Sequence, residues 1–331
     1  MLEQIKLARK EEIMEFKTIK DFKAGERIEG YFIIKSIECK ASSNGKKYFD
    51  LYIGDSTGEI NAKLWEYKEE DSRLYTDSIL IRIRGTVTEW QGNLQLKIEK
   101  LRLTDSTDEV NIADFVSSAP LEPEFMYEEI HKCIDSLKDE SIRNITKIIF
   151  EDCKDKLVYY PAAKKNHHSI RAGLLYHILT MLRAGQKLIE IYTYLNPDLL
   201  FAGVILHDLS KTEEMEANPL GIVSNYTVEG QLLGHITLGV KRIEIAADLA
   251  GADKETTMLL QHMVLSHHYE PEYGSPIKPM IPEAEMLHYL DIMDARMYDM
   301  KKALRDTKEG EFSDRIWSLE NRKVYKPKYI E

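Results

Sequence analysis

The chain has 331 residues, 45 Lys and Arg against 56 Asp and Glu for a formal net charge of −11, 43% hydrophobic residues and a mean hydropathy of −0.38. That length suggests two domains, each able to bury a core, and the composition excludes a disordered chain. The longest clean apolar run, Leu199 to Leu206, has eight residues against the roughly 20 needed to span a bilayer, and three scattered cysteines suit neither a disulfide framework nor a Cys-based zinc site.

Residues 1–15, an N-terminal extension, are charged throughout and carry no apolar signal-peptide core, so a cytoplasmic protein without a membrane partner is expected. Residues 16–104 read as β structure, because apolar residues recur with period two between turn signals. Ile28 to Ile37 is one strand. Phe49, Leu51 and Ile53 share the inner face of a second, and Ile60, Ala62 and Leu64 that of a third. A short helix from Glu66 to Leu74 precedes a strand carrying Ile79, Ile81, Ile83 and Val87. Gln91-Gly92-Asn93 then turns into a fifth strand with Leu94, Leu96 and Ile98. Five strands with a helix between the third and fourth make an OB-fold barrel.

The string from Tyr48-Phe49-Asp50-Leu51 through Asp55-Ser56-Thr57-Gly58 to Leu64-Trp65 resembles the OB-folds that bind nucleic acids. Tyr48, Tyr52 and Trp65 offer stacking platforms beside Lys63, and Arg82 and Arg84 add outward charge, as a flexible single strand requires. The alternative is that Trp65 caps the barrel end and the cations are solvated surface. From Asp21 to Thr104 there are 14 basic and 14 acidic residues, so affinity there should be local rather than spread over a basic sheet.

Residues 105–124, with Pro120 and Pro123, read as a linker. Beyond it the periodicity turns helical, with helices expected at Tyr127–Leu137, Ser141–Cys153, Gly173–Ile191, Pro197–Leu209, Gly230–Ala250, Lys254–Ser266 and Glu283–Leu304. This domain, residues 125–310, should be almost all α, with 311–331 as a C-terminal tail. From Asp105 onward there are 26 basic and 38 acidic residues and all ten histidines, a composition that suits a divalent-metal site.

Phe201-Ala202-Gly203-Val204-Ile205-Leu206-His207-Asp208-Leu209-Ser210-Lys211 is an apolar helix that ends in His, Asp and Lys. An imidazole and a carboxylate buried there are costly unless paired or metal-bound. Lys211 is three residues from Asp208 and four from His207, so all three can face one cavity, where the ammonium can meet a phosphate oxygen.

His177 follows Arg171-Ala172-Gly173-Leu174-Leu175-Tyr176, and Asp291 lies within the apolar helix Glu283-Ala284-Glu285-Met286-Leu287-His288-Tyr289-Leu290-Asp291-Ile292-Met293-Asp294-Ala295. The order His177, His207-Asp208, Asp291 resembles the HD-domain superfamily of metal-dependent phosphohydrolases. That resemblance implies a metal held by these four residues, and Gly234-His235 and Ser266-His267-His268 fall where binuclear members hold a second. Neighbouring residues on one helix diverge by about 100°, so whether His267 or His268 is the ligand stays open. Gly173 stands where trinuclear relatives carry Glu, which implies one or two ions per chain, with Mn²⁺ the first choice and Mg²⁺, Fe²⁺ or Co²⁺ as alternatives.

The whole arrangement, including Pro161-Ala162-Ala163-Lys164-Lys165-Asn166-His167-His168-Ser169-Ile170-Arg171, is similar to the YhaM-type bacterial 3′-to-5′ exoribonucleases. Ala172 and Tyr176 replace the commoner Gly and Glu of that family, and Ser210 replaces Gly, without removing a proposed ligand. The resemblance implies hydrolysis of single-stranded RNA, and of single-stranded DNA as a second substrate, by a metal-activated water. Asp208 and Lys211 are then the catalytic pair. Lys164, His168 and Arg171 are placed at the substrate entrance, with a packing role for His168 equally open. Asp294, one turn from Asp291, reads as orienting a ligand. His262 and His288 read as structural, and His131 as surface. Two other classes stay open: a phosphodiesterase for a cyclic dinucleotide or nucleotide, which the barrel disfavours, and a non-catalytic nucleic-acid-binding protein, which the intact ligand set disfavours.

Overall fold

The computed structural model describes residues 17–329 apart from 56, 67–70, 72, 106, 109 and 165–167. The chain divides into two compact units between Ser117 and Ser118. The short helix expected from Glu66 to Leu74 falls largely outside the described residues, as do the N-terminal extension, Lys165 and His167.

In the first unit, β1 (Arg27–Ala41), β2 (Lys47–Gly54), β3 (Glu59–Leu64), β4 (Leu80–Trp90) and β5 (Asn93–Leu103) close into an OB-fold barrel in the order β1-β2-β3-β5-β4. All pairs are antiparallel except β3 with β5. The alternation of the sequence is the alternation of burial: Phe49, Leu51, Ile53, Ile60, Ala62, Leu64, Ile81, Ile83, Val87, Leu96 and Ile98 all face the core. Burying each of the larger of these side chains stabilises the barrel by roughly 1.5–3 kcal/mol. Leu94 departs from the expectation and is 37% exposed, because it sits beside the β4–β5 turn, beyond the end of the core.

The second unit is helical, as expected: α1 (Pro123–Asp135), α2 (Glu140–Asp152), α3 (Lys154–Leu157), α4 (Gly173–Ile189), α5 (Pro197–Leu206), α6 (Lys211–Glu214), α7 (Val228–Ala250), α8 (Lys254–Ser266) and α9 (Pro282–Arg305). A two-stranded ribbon, β6 (Met215–Ala217) with β7 (Val223–Tyr226), is added between α6 and α7. Helix α5 organises the unit. Asn196 caps it by accepting from the amides of Asp198 and Leu199, Pro197 occupies its first turn, and every residue from Leu199 to Leu206 is buried. A helix that is apolar all round belongs in the middle of a bundle. Residues 311–329, expected as part of a tail, fold back through paired bridges (Phe312 with Tyr325, Ile316 with Arg322) and dock on α9 by Ser318 Oγ–Asp299 Oδ2 (2.5 Å) and Arg296–Glu320 (2.6 Å). Among the described residues no helix is long and apolar enough to cross a membrane.

Candidate metal centre

Because α5 runs through the core, the residues at its end are carried into the interior. His207 and Asp208 are buried there. Around them stand His177 from α4, His235 from α7, His267 and His268 at the end of α8, and Asp291 from α9. The two oxygens of Asp208 face different neighbours. Oδ2 lies 3.5 Å from His207 Nε2, 3.9 Å from His177 Nε2 and 2.7 Å from Lys211 Nζ. Oδ1 lies 3.4 Å from His235 Nε2 and 3.8 Å from His267 Nε2. Asp291 Oδ1 approaches His177 Nε2 at 3.3 Å.

Each imidazole is anchored through its outer nitrogen. Nδ1 of His207 bonds the Val204 carbonyl at 2.8 Å, that of His267 the Val264 carbonyl at 2.7 Å, and that of His268 the Tyr273 carbonyl at 2.6 Å. His177 Nδ1 bonds Asp294 Oδ2 at 2.7 Å, and His235 Nδ1 bonds Glu214 Oε1 at 3.0 Å. With Nδ1–H donating outward, the Nε2 atoms turn inward, the arrangement by which a surrounding shell orients metal-binding histidines.

Two glycines make this possible. Ala172 is left-handed (φ 56) and α4 starts abruptly at Gly173, where a methyl group would overlap the His168 carbonyl oxygen. Gly234 breaks α7 with φ 69 and ψ 159, a conformation open essentially to glycine, so that both the amide and Nδ1 of His235 reach Glu214.

The donor set fits a divalent cation. His207 Nε2, His235 Nε2, His267 Nε2 and Asp208 Oδ1 are buried without a protein hydrogen-bond partner, and each such atom costs about 1–3 kcal/mol if nothing binds it. Burial pushes the pKa values of His207, His267 and His268 down, which keeps them in the neutral, ligating form. Burial opposes ionisation of Asp208 and Asp291, yet Lys211 and the imidazoles hold the first, and His177 the second, well below the usual carboxylate range. Burial likewise opposes charge on His177, but hydrogen bonds to Asp291 and Asp294 raise it to about 10.

The structure brings His177, His207 and Asp208 within mutual ligating reach, and Asp208, His235, His267 and His268 likewise. The two neighbouring histidines both offer a nitrogen to this group, with ring centroids 4.2 Å apart, although His267 keeps helical backbone angles (φ −63, ψ −30). Lys211 is paired with Asp208 rather than standing apart. His168 is not at an entrance: it is 1% exposed, packs against Tyr298 with ring centroids 4.0 Å apart and planes tilted by 37°, and bonds Asp294 Oδ2 at 2.7 Å. Arg171 Nε donates to the Pro219 carbonyl and Lys164 Nζ to that of Ser224. His262 Nε2 accepts from the Met280 amide, and His288 Nδ1 donates to the His267 carbonyl. Glu214 escaped the sequence reading, although His207, Lys211 and Glu214 recur at the 0, 4, 7 spacing of one helical face.

In the barrel, Tyr48 and Trp65 stack at 4.4 Å with Lys63 Nζ 5.3 Å from the Tyr48 ring, and Tyr52 is half exposed. Arg82 and Arg84 do not add free charge to that group. Both guanidinium groups are committed to Glu29, at 2.8 Å and 2.9 Å, on a strand separated from β3 by β5.

Comparison with known proteins matches residues 174–296 to the HD domain and residues 33–104 to the OB-fold nucleic acid binding domain. Curated relatives extend over almost the whole chain. The 3′-5′ exoribonuclease YhaM of Geobacillus sp. (strain WCH70) is 43% identical, covering 94% of this chain and 95% of its own. That of Shouchella clausii is 42% identical over 95% and 97%, and that of Bacillus subtilis 40% identical over 92% and 96%.

Proposed function

The chain belongs to the YhaM family of 3′-5′ exoribonucleases and is a metal-dependent 3′-to-5′ exonuclease that binds single-stranded nucleic acid; from that premise we propose how its own residues divide the work. Asp208 would be shared by two cations, with His177, His207 and Asp291 as the other residues that would hold one, and His235, His267 and His268 as those that would hold the other. The division of the two Asp208 oxygens between two sets of imidazoles is the observation that carries this reading. Several imidazoles among carboxylates suit a first-row ion better than Mg²⁺, and manganese is the proposed metal.

Bound divalent ions supply an acidified water and polarise the scissile phosphate. The protein's part is to hold the geometry. Asp294 and Glu214 fix the rings of His177 and His235, while the carbonyls of Val204, Val264 and Tyr273 fix those of His207, His267 and His268. Lys211 holds Asp208 through a 2.7 Å ion pair, and its ammonium contacts a non-bridging oxygen of the substrate phosphate. Tyr48, Tyr52, Trp65 and Lys63 bind the strand upstream, and tethering in one chain raises its effective concentration at the metal centre. RNA is the preferred substrate, supported by the relatives' activity as exoribonucleases.

Incubating metal-stripped protein with Mn²⁺, Mg²⁺ or Co²⁺ and 5′-labelled single-stranded RNA, DNA of the same sequence, or a cyclic dinucleotide tests the assignment. The expected result is a ladder shortening from the 3′ end, fastest with RNA and Mn²⁺. Preferential hydrolysis of the cyclic dinucleotide would overturn the substrate reading.

A further inference from the structure

The turn after α8 does two things at once. The Tyr273 carbonyl accepts His268 Nδ1 at 2.6 Å, while the His268 amide donates to Ser275 Oγ at 3.0 Å, so the turn is fastened to His268 at Tyr273 itself and two residues beyond it. The turn is itself rigid. Amides of Tyr273 and Gly274 bond the carbonyls of Glu270 and Pro271 at 3.0 Å and 2.9 Å, Gly274 sits at φ 100, and Ser275 is fully buried. It lies against α7 beside the other histidines: a methyl group on Gly274 would touch Ile236 Cδ1 at 3.3 Å, next to His235. Yet the Tyr273 side chain, anchored in this fixed backbone, is 71% exposed. Just ahead of the Gly234 break in α7, Leu232 is 78% exposed and Leu233 49%.

We propose that Tyr273 is the stacking platform for the base of the 3′-terminal nucleotide, a binding residue of the exonuclease site. The inference rests on the assignment of His235, His267 and His268 to the metal centre. A phosphate held at those histidines leaves its nucleoside one sugar away, beside the turn that carries Tyr273. A solvent-facing aromatic ring on a hydrogen-bonded turn is the group that receives a base of any identity, because every base has a π face. The site should therefore accept all four terminal bases with similar affinity.

The test is a cycle between protein and substrate. Tyr273→Ala and wild type are each assayed on a single-stranded RNA 12-mer and on the same 12-mer with an abasic 3′-terminal nucleotide. Tyr273→Ala is expected to raise KM for the intact RNA about ten-fold, the scale of one base stack, with little change in kcat. The abasic end should raise KM similarly for wild type, and the combination should add little further loss. Tyr273→Trp should restore the wild-type KM. An unchanged KM in Tyr273→Ala, or losses that multiply in the combination, would overturn the proposal. If Tyr273→Ala folds poorly, Tyr273→Leu replaces it in the same cycle. Metal content distinguishes the two readings: a Tyr273→Ala protein that keeps its bound metal while KM rises isolates the stacking role. Loss of metal together with kcat would assign Tyr273 to support of His268 and contradict it.

Discussion

The Nδ1–H of His177 donates to Asp294 Oδ2 over 2.7 Å, and the same oxygen also accepts from the buried His168. Asp294 thus fixes the His177 ring from outside while Nε2 faces Asp208 and Asp291. Asp294→Ala is expected to weaken metal binding by about 10- to 100-fold, the usual cost of losing such a partner. Competition against a metal-responsive dye measures it. An unchanged metal affinity would mean that packing alone orients the ring.

On the opposite side Glu214 takes two bonds from His235, and only the Gly234 break allows both. Glu214→Ala should lower affinity for one of two bound ions and leave the other nearly intact. Gly234→Ala should do the same and also cost about 1–3 kcal/mol of stability for forcing an L-residue into that conformation. Metal titration with parallel thermal melts reads both effects. Uniform weakening of both ions would contradict the split around Asp208.

Protons should leave as metal arrives. Without metal, Asp291 and Asp294 raise the His177 pKa to about 10 against the pull of burial, so the ring is charged at pH 7. Coordination needs it neutral, so binding should release about one proton at pH 7, and apparent affinity should rise with pH until roughly pH 10. Calorimetry in buffers of different ionisation enthalpy counts the protons. No release at pH 7 would remove His177 from the ligand set.

The barrel carries a separate pH dependence. Arg102 binds Asp108 through both terminal nitrogens and Tyr31 Oη adds a third bond, which holds this carboxyl below its ordinary range. A depressed pKa stabilises the fold above the unfolded value near ~4 and loses that contribution as pH falls through the folded value. The stability gap between wild type and Asp108→Asn should be full at pH 7 and shrink below pH 4, followed by thermal unfolding. A gap constant down to pH 3 would refute the linkage.

Much of this was legible in the chain because its signals are local. The period-two strands β2 to β4, the apolar helix α5 and the His207-Asp208 end of that helix follow from neighbouring residues. What escaped depends on partners distant in sequence. Glu214 meets His235 across 21 residues, and Arg82 and Arg84 are drawn to Glu29 more than 50 residues earlier. His168 reaches Asp294 across 126 residues, which no spacing rule detects. That His267 and His268 both reach Asp208 and His235 depends on where each Nδ1 is anchored, at the carbonyls of Val264 and Tyr273, and the second lies in a turn that periodicity does not describe.

The central claim is that Asp208 joins two metal sites into one catalytic centre. Measuring bound metal and single-turnover RNA cleavage for Asp208→Ala against wild type, with circular dichroism to monitor the fold, tests it most directly. The expected outcome is an intact fold, metal content reduced from about two ions per chain, and cleavage lowered by at least about 10³-fold. An intact Asp208→Ala protein that retains metal-dependent cleavage would contradict it.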